Sequence, residues 1–303
     1  MTLLYLSTAE RAAIWSPIFV EAGERMVIGE DAVADPADIT HIACWIAPED
    51  LSRYPNLQAV IGVGAGIDQM PPMPDGVALS RTIAPGIAEM VRDWVMMAAL
   101  MLHREMPRYL EQARQGEWHS HPARPTRRCR IGVMGLGQVG RLVAQNLSAL
   151  GFPVAGWSRS GNPVGGLEVY GAAALDDFLA RTEMLICLLP LTEATRGLLN
   201  ARLLAKLPGG AGLIHAGRGA QLEMDALRDA LDSGQIGAAM LDVTDPEPLP
   251  PEHWAWRHPE VIVTPHIASY TDAEEGARHA LSVIRASRAG QPIPGLVDQN
   301  RGY

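Results

Sequence analysis

The chain has 303 residues, 48% apolar and 19% charged, with a formal net charge of −9. That is enough material for two domains with a sizeable core, which excludes wholesale disorder, and the negative charge makes nucleic acid and anionic membrane surfaces poor partners. Its longest obvious apolar run, Trp94–Leu102, is far short of the ~20 residues that span a bilayer. Met1–Leu6 has no basic signal-peptide segment and reads as a strand, and Cys44, Cys129 and Cys187 are unclustered. These features predict a reduced, cytoplasmic protein without a disulfide framework or metal site. The basic set is 24 arginines and one lysine, Lys206, a compositional bias towards the side chain suited to bidentate recognition of carboxylate and phosphate.

Residues 1–80 read as short strands between helices. Strand candidates are Leu3–Leu6, Ile42–Ile46 and Ala59–Val63, with helix-like segments at Glu10–Ala22 and Pro48–Tyr54. A Pro/Gly loop follows at Met70–Gly76, then one long helical pattern from Pro85 to Gln115 whose apolar stretch Val91–Leu102 suggests an intersubunit surface. From 128 to 266 strands and helices alternate. The strands are Arg130–Met134, Pro153–Trp157, Met184–Leu189, Gly212–His215, Ile236–Leu241 and Val261–Thr264. The helices are Val139–Leu150, Leu175–Ala180, Asn200–Leu207 and Glu223–Ser233, and a last helix spans Asp272–Ala289. Such alternation predicts an α/β protein with a parallel, doubly wound sheet.

Gly135-Leu136-Gly137-Gln138-Val139-Gly140 follows an apolar strand and opens a helix, the full context of a dinucleotide-binding turn. Gly135 allows the tight turn, Gly137 lets backbone approach a pyrophosphate, and Gly140 lets helix pack on strand. The amides of Gln138 and Val139 supply partial positive charge for the phosphates. After the second strand an NAD site places Asp or Glu, but here the sequence is Trp157-Ser158-Arg159-Ser160, with no acid until Glu168. An arginine flanked by hydroxyls suits a 2′-phosphate, which predicts NADP(H) rather than NAD(H).

Three later segments place polar residues past the carboxyl ends of apolar strands, where open α/β sheets bind ligands. They are His215-Ala216-Gly217-Arg218-Gly219, Asp242 to Pro250, and Thr264-Pro265-His266. Reduction of a 2-oxo acid needs a guanidinium for the carboxylate, a proton donor at the ketone oxygen, and a group that tunes the donor. Arg218 and His266 suit the first two roles. Glu247 suits the third, because a nearby carboxylate favours imidazolium, although Asp245 lies close enough in sequence to compete.

These motifs together resemble the D-isomer-specific 2-hydroxyacid dehydrogenase family over essentially the whole chain. Within it the chain is most similar to the bacterial NADPH-dependent glyoxylate/hydroxypyruvate reductases of the A type. Further elements of the resemblance are Leu189-Pro190-Leu191-Thr192, Glu247-Pro248-Leu249-Pro250, and the ending Val297-Asp298 to Arg301-Gly302-Tyr303. The resemblance implies a Rossmann-type NADP domain (92–271) and a flavodoxin-like substrate domain (1–91 with 272–303). It implies that Arg218 binds substrate carboxylate and carbonyl, that His266 is the general acid/base, and that Glu247 pairs with it. Leu189, Pro190, Ala216, Gly217 and Asp242 would join the glycine turn and Ser158-Arg159-Ser160 in holding cofactor. Gly64, Ala65 and Gly66 would hold the substrate carboxylate through backbone amides, and Trp45 would wall the pocket.

Two departures stand out: His215 where Asn is more usual, with Gly217 for Ala, and Thr244 where Phe is common. The expected activity is NADPH-dependent reduction of glyoxylate and hydroxypyruvate by a homodimer. A broader pyruvate- or phenylpyruvate-type reductase and a non-enzymatic, corepressor-like NADP(H) sensor are the alternatives.

Overall fold

The computed structural model describes residues 1–298, so Arg301, Gly302 and Tyr303 of the matching ending lie outside the described residues. The chain divides into two compact units, Met1–Ile87 with the chain from Tyr270 onward, and Ala88–Ser269.

The first unit holds a parallel sheet of β1 (Thr2–Leu6), β2 (Arg25–Ile28), β3 (Ile39–Cys44), β4 (Ala59–Gly62) and β5 (Ala78–Arg81), in the order β2-β1-β3-β4-β5. Helix α1 (Ala9–Glu21) is capped at its start by the Thr8 hydroxyl, which accepts from the Arg11 amide. It presents Trp15 and Phe19 to Leu3, Tyr5, Ala43 and Ile61 on one face of the sheet. The segment Pro48–Tyr54 is not a helix: it holds only a 3₁₀ turn at Leu51–Arg53, capped by Asp50. Leu51, Tyr54 and Leu57 nevertheless bury the opposite face, against Leu4, Ile42 and Val60.

Helix α2 (Pro85–His103) leads into the second unit and is followed by α3 (Met106–Gln115). The single helix expected from Pro85 to Gln115 is therefore broken. Glu105 adopts φ +54°, a left-handed conformation that ends one helix, and Pro107 sits in the first turn of the next. The apolar stretch that suggested an intersubunit surface is largely intramolecular. Val91, Trp94, Val95, Ala98, Ala99 and Leu102 recur at helical spacing and bury against Ile131, Met184 and Ile214.

The second sheet comprises β6 (Ile131–Met134), β7 (Val154–Trp157), β8 (Glu168–Tyr170), β9 (Met184–Cys187), β10 (Ala211–His215), β11 (Ile236–Leu241) and β12 (Val261–Val263). All pairs are parallel, in the order β12-β11-β10-β9-β6-β7-β8. Successive strand residues point to opposite faces. Leu185, Leu213, Ala239 and Leu241 therefore join one core with α5 (Leu175–Arg181), α6 (Ala201–Leu204) and α7 (Met224–Asp232). Ile186, Ile214 and Met240 join another with α2 and α4 (Gln138–Ala149). Both faces are covered, which is why these strands read as continuous apolar runs. Helix α8 (Ala273–Ala289) returns to the first unit and packs Ala277, Ala280, Val283 and Ile284 beside α1.

The three strands that sequence reading overlooked, β2, β5 and β8, are all sheet edges. Edge strands are half covered, so the apolar pattern that marks an interior strand is diluted; β2 has no fully buried residue. Among the described residues no helix is long and apolar enough to cross a membrane.

Candidate active site

The turn after β6 has the geometry that the glycine spacing requires. Gly135 adopts φ +99°, and a Cβ there would lie 2.8 Å from the Leu188 carbonyl oxygen. A Cβ on Gly140 would lie 1.8 Å from the Gly135 carbonyl oxygen, so only glycine lets α4 approach β6 this closely. A Cβ on Gly137 would meet nothing within 4 Å, and Gly137 caps α4 without a side-chain hydrogen bond. The helix start at Gln138 and Val139 thus has open space beside it, with its dipole and first amides suited to an anion. Arg141 braces the turn by donating through Nε to the Leu136 carbonyl at 2.9 Å.

Beyond β7, Ser158-Arg159-Ser160 forms a turn in which the Gly161 amide donates to Ser158 Oγ and the Asn162 amide to Ser160 Oγ. Arg159 and Ser160 are exposed. Glu168 begins β8 beside Ala155, at the end of the pair remote from this turn, where it accepts from the Tyr170 hydroxyl. No acid from β8 replaces the carboxylate expected of an NAD site.

The loops after β9, β10, β11 and β12 lie side by side, because their strands are neighbours in the sheet. After β9, Leu189 and Pro190 offer carbonyls that accept from Gln221 Nε2 at 3.2 and 3.0 Å; Pro190 also accepts from Thr195 Oγ1. After β10, the Ala216 amide donates to the Cys187 carbonyl. Gly217 then gives its carbonyl to Arg218 Nη1 at 2.8 Å. Gly219 packs against the loop after β11; a Cβ there would lie 1.8 Å from the Thr244 carbonyl oxygen.

Asp242, at the end of β11, is only 2% exposed, and its carboxylate grips the loop after β12. Oδ1 accepts from Thr264 Oγ1 at 2.6 Å and the Ile267 amide at 2.8 Å, and Oδ2 from the Ala268 amide at 2.7 Å. Its backbone carbonyl accepts from the His266 amide at 2.8 Å. His266 itself has φ +54°, a conformation unfavourable for a non-glycine residue, which this set of bonds holds in place. Sequence reading assigned Asp242 to the cofactor and did not find its grip on the histidine loop, since no spacing rule links residues 242 and 264–268. It also missed Gln221, an isolated amide in no motif.

His266 Nδ1 lies 2.9 Å from Glu247 Oε2, and Glu247 Oε1 accepts from the Thr244 amide at 3.0 Å. The carboxylate facing the imidazole is therefore Glu247 rather than Asp245. The Glu247 hydrogen bond raises the His266 pKa above the ordinary histidine value, with partial burial and the Arg218 charge opposing. Burial pushes the Glu247 carboxyl up, but the bonds from His266 and the Thr244 amide outweigh it and hold the group below its usual range. Arg218 acts electrostatically on both partners, so the three charged groups share one neighbourhood. With Nδ1 engaged, Nε2 is the nitrogen placed to exchange a proton with a ligand.

Within the first unit, Trp45 follows β3 and Gly64 follows β4, adjacent strands of that sheet. The indole lies on the glycine: a Cβ at Gly64 would be 2.8 Å from Trp45 Cζ3. Gln69 Nε2 donates to the Trp45 carbonyl at 2.9 Å, and the Gly64 carbonyl accepts from the Thr82 amide. Trp45, Gly64, Ala65 and Gly66 are thus one local assembly, with Trp45 about half exposed.

The family model for the NAD binding domain of D-isomer specific 2-hydroxyacid dehydrogenase matches residues 96–268. Glyoxylate/hydroxypyruvate reductase A of Salmonella newport is 34% identical over the full length of both chains. A D-isomer specific 2-hydroxyacid dehydrogenase from Xanthobacter autotrophicus Py2, solved with NADPH and MES, is 36% identical with a TM-score of 0.94, covering 100% of this chain and 99% of that one. The NADPH-dependent glyoxylate/hydroxypyruvate reductase of Sinorhizobium meliloti, solved with NADP and sulfate, is 35% identical with a TM-score of 0.92 and the same coverage. With the glycine turn, the two parallel sheets and the Arg218, Glu247 and His266 cluster, these matches place the chain in the D-isomer-specific 2-hydroxyacid dehydrogenase family.

Proposed function

We propose that this protein reduces short 2-oxo acids with NADPH, taking glyoxylate to glycolate and hydroxypyruvate to D-glycerate. The observation that carries this reading is the His266–Glu247 pair beside Arg218, on loops adjoining a dinucleotide turn. NADPH, when bound, supplies the hydride. Arg218 binds the substrate carboxylate and stabilises the charge that develops on the carbonyl oxygen. His266 delivers its Nε2 proton to that oxygen, and Glu247 keeps the ring oriented and charged until it does.

The phosphates belong to Gly135, Gly137, Gln138, Val139 and Gly140, and the 2′-phosphate to Ser158, Arg159 and Ser160. Leu189, Pro190, Ala216, Gly217 and Asp242 hold the nicotinamide side, and Trp45, Gly64, Ala65 and Gly66 serve substrate binding. On this reading 1–91 with 272–303 is the substrate domain and 92–271 the NADP domain. The protein acts in the cytoplasm without nucleic acid or membrane. Exposure of Met97, Leu100, Leu110 and Trp118 on and after α2 and α3 supports a homodimer, which sedimentation at about twice the 32.6 kDa chain mass would bear out.

Steady-state rates with NADPH and NADH against glyoxylate, hydroxypyruvate, pyruvate and phenylpyruvate test the reading. The expected result is a kcat/KM preference for NADPH of ~10-fold or more, lost in Arg159→Ala, since a charge-assisted contact contributes roughly 1.5–3 kcal/mol. Comparable rates on phenylpyruvate would favour the broad reductase. Tight NADPH binding without turnover would favour the sensor.

A further inference from the structure

His215 and Gln221 flank Arg218 and have no part in the chemistry above, and Gly217, assigned above to the nicotinamide side, lies between them. We propose that His215 and Gln221 clamp the Arg218 backbone from both sides and thereby position its guanidinium, and that Gly217 is glycine to leave room for the clamp. The proposal rests on the assignment of Arg218 to the substrate.

The Arg218 amide donates to Gln221 Oε1 at 2.8 Å, and His215 Nε2 lies 2.9 Å from the Arg218 carbonyl oxygen. A side chain therefore holds each polar backbone atom of this residue. Because a carbonyl only accepts, His215 must carry its proton on Nε2. The ring is fully buried, and burial pushes its pKa down to about 4, so it is neutral at working pH. Its Nδ1 is buried and makes no well-formed hydrogen bond, although the Cys187 backbone also acts on the ring. A buried acceptor without a partner is costly, and the bond to Arg218 is what the ring supplies in return. An apolar side chain would fill the space without that cost but would leave the carbonyl to the Gln221 amide alone.

Gln221 is also fully buried. Its Nε2 donates to the Leu189 and Pro190 carbonyls, so one amide ties the loop after β9 to the loop after β10. A Cβ on Gly217 would lie 2.3 Å from Gln221 Oε1, 3.0 Å from the Leu189 carbonyl oxygen and 3.3 Å from His215 Cε1. Alanine at 217 and this placement of Gln221 are mutually exclusive. The pairing of His215 with Gly217, a departure at the sequence level, is thus a single packing solution. The carbonyl of Gly217 in turn receives Arg218 Nη1, so a shift of the clamped backbone passes directly to the guanidinium.

Clamp residues act through Arg218, so they are positioning residues. The Gln221 amide also donates to the Arg218 carbonyl, at 3.0 Å, so His215→Leu removes the carbonyl's side-chain donor and leaves only that backbone bond, whereas His215→Gln keeps an N–H of similar reach. His215→Leu should raise the KM for glyoxylate and lower kcat, together costing on the order of 10- to 100-fold in kcat/KM. The NADPH Kd from protein fluorescence should stay near wild type, and His215→Gln should recover most of the loss. In an Arg218→Ala background His215→Leu should cost nothing further, whereas general loosening of the fold would cost the same in both backgrounds. Wild-type KM and kcat in His215→Leu, with Arg218→Ala inactive, would overturn the clamp and leave the assignment of Arg218 standing. Full activity in Arg218→Ala would instead sink that assignment and the clamp with it. If His215→Leu does not fold, Gly217→Ala carries the test. It must displace Gln221 and raise the glyoxylate KM by more than it raises the NADPH Kd, since Gly217 also borders the cofactor, and an unchanged glyoxylate KM there would equally overturn the proposal.

Discussion

His266 and Glu247 illustrate how a few atoms set a working pH. The carboxylate 2.9 Å from Nδ1 raises the imidazole pKa, so on the proposed function the protonated acid persists to higher pH than an isolated histidine would allow. The kcat/KM for reduction should therefore be flat at low pH and fall as pH rises through that raised value. In Glu247→Gln the falling limb should move to lower pH, because the neutral amide no longer favours imidazolium. A pH–rate profile checks this, and an unmoved limb would dissociate Glu247 from the proton. His266→Ala should lower kcat by ~10²- to 10⁴-fold with NADPH binding retained; near-normal turnover would end its assignment. Residue types were legible here from local sequence, while the pairing of Glu247 with His266 was read only from the family resemblance. Asp245 and Glu247 are equivalent candidates by spacing, and only the fold of the loop after β11 turns Glu247 towards the ring.

At the scale of elements, the decisive contact is α4 against β6. The Gly140 Cα sits where any added methyl would be 1.8 Å from the Gly135 carbonyl oxygen, so Gly140→Ala forces helix from turn. The expected cost is ~1–3 kcal/mol of stability, with NADPH affinity falling more steeply than the rate at saturating cofactor. Thermal unfolding and fluorescence titration measure the two, and wild-type values for both would contradict the packing. Interior strands such as β6, β9 and β10 were legible because both of their faces are buried. Of the edge strands only β12 was, and the break between α2 and α3 was not, since the helical period continues through Arg104 and Glu105 while the backbone does not.

For the molecule as a whole, charge and acid response follow from where groups are placed rather than from their number. A net charge of −9 does not oppose anionic ligands, because fields beyond about 8 Å are largely screened at physiological salt. Two fully buried histidines are more consequential: His41 in the first unit, beside Ser287 Oγ, and His215 in the second. Burial lowers both from 6.5 to about 4. The unfolded chain then binds more protons than the folded one between those values. Their contribution is complete above pH 6.5 and is lost as pH falls towards 4, on the order of 3 kcal/mol for each group as an upper bound. The Tm should decline steadily across that window, and His41→Gln should soften the decline; a flat profile from pH 7 to 4.5 would contradict both assignments.

By itself the sequence determined the doubly wound class and the dinucleotide turn, and it singled out Arg218 and His266 as the candidates for substrate and proton. Each of these is written in local patterns: burial on two faces, glycine spacing, and polar residues at the ends of apolar strands. Tertiary structure alone decided how the loop after β11 brings Glu247 rather than Asp245 to the His266 ring, that Asp242 grips the histidine loop, and that His215 and Gln221 enclose Arg218. Those contacts join loops from different strands of one sheet, and their partners are chosen by strand order and loop conformation. Neither is written in the separation of residues along the chain.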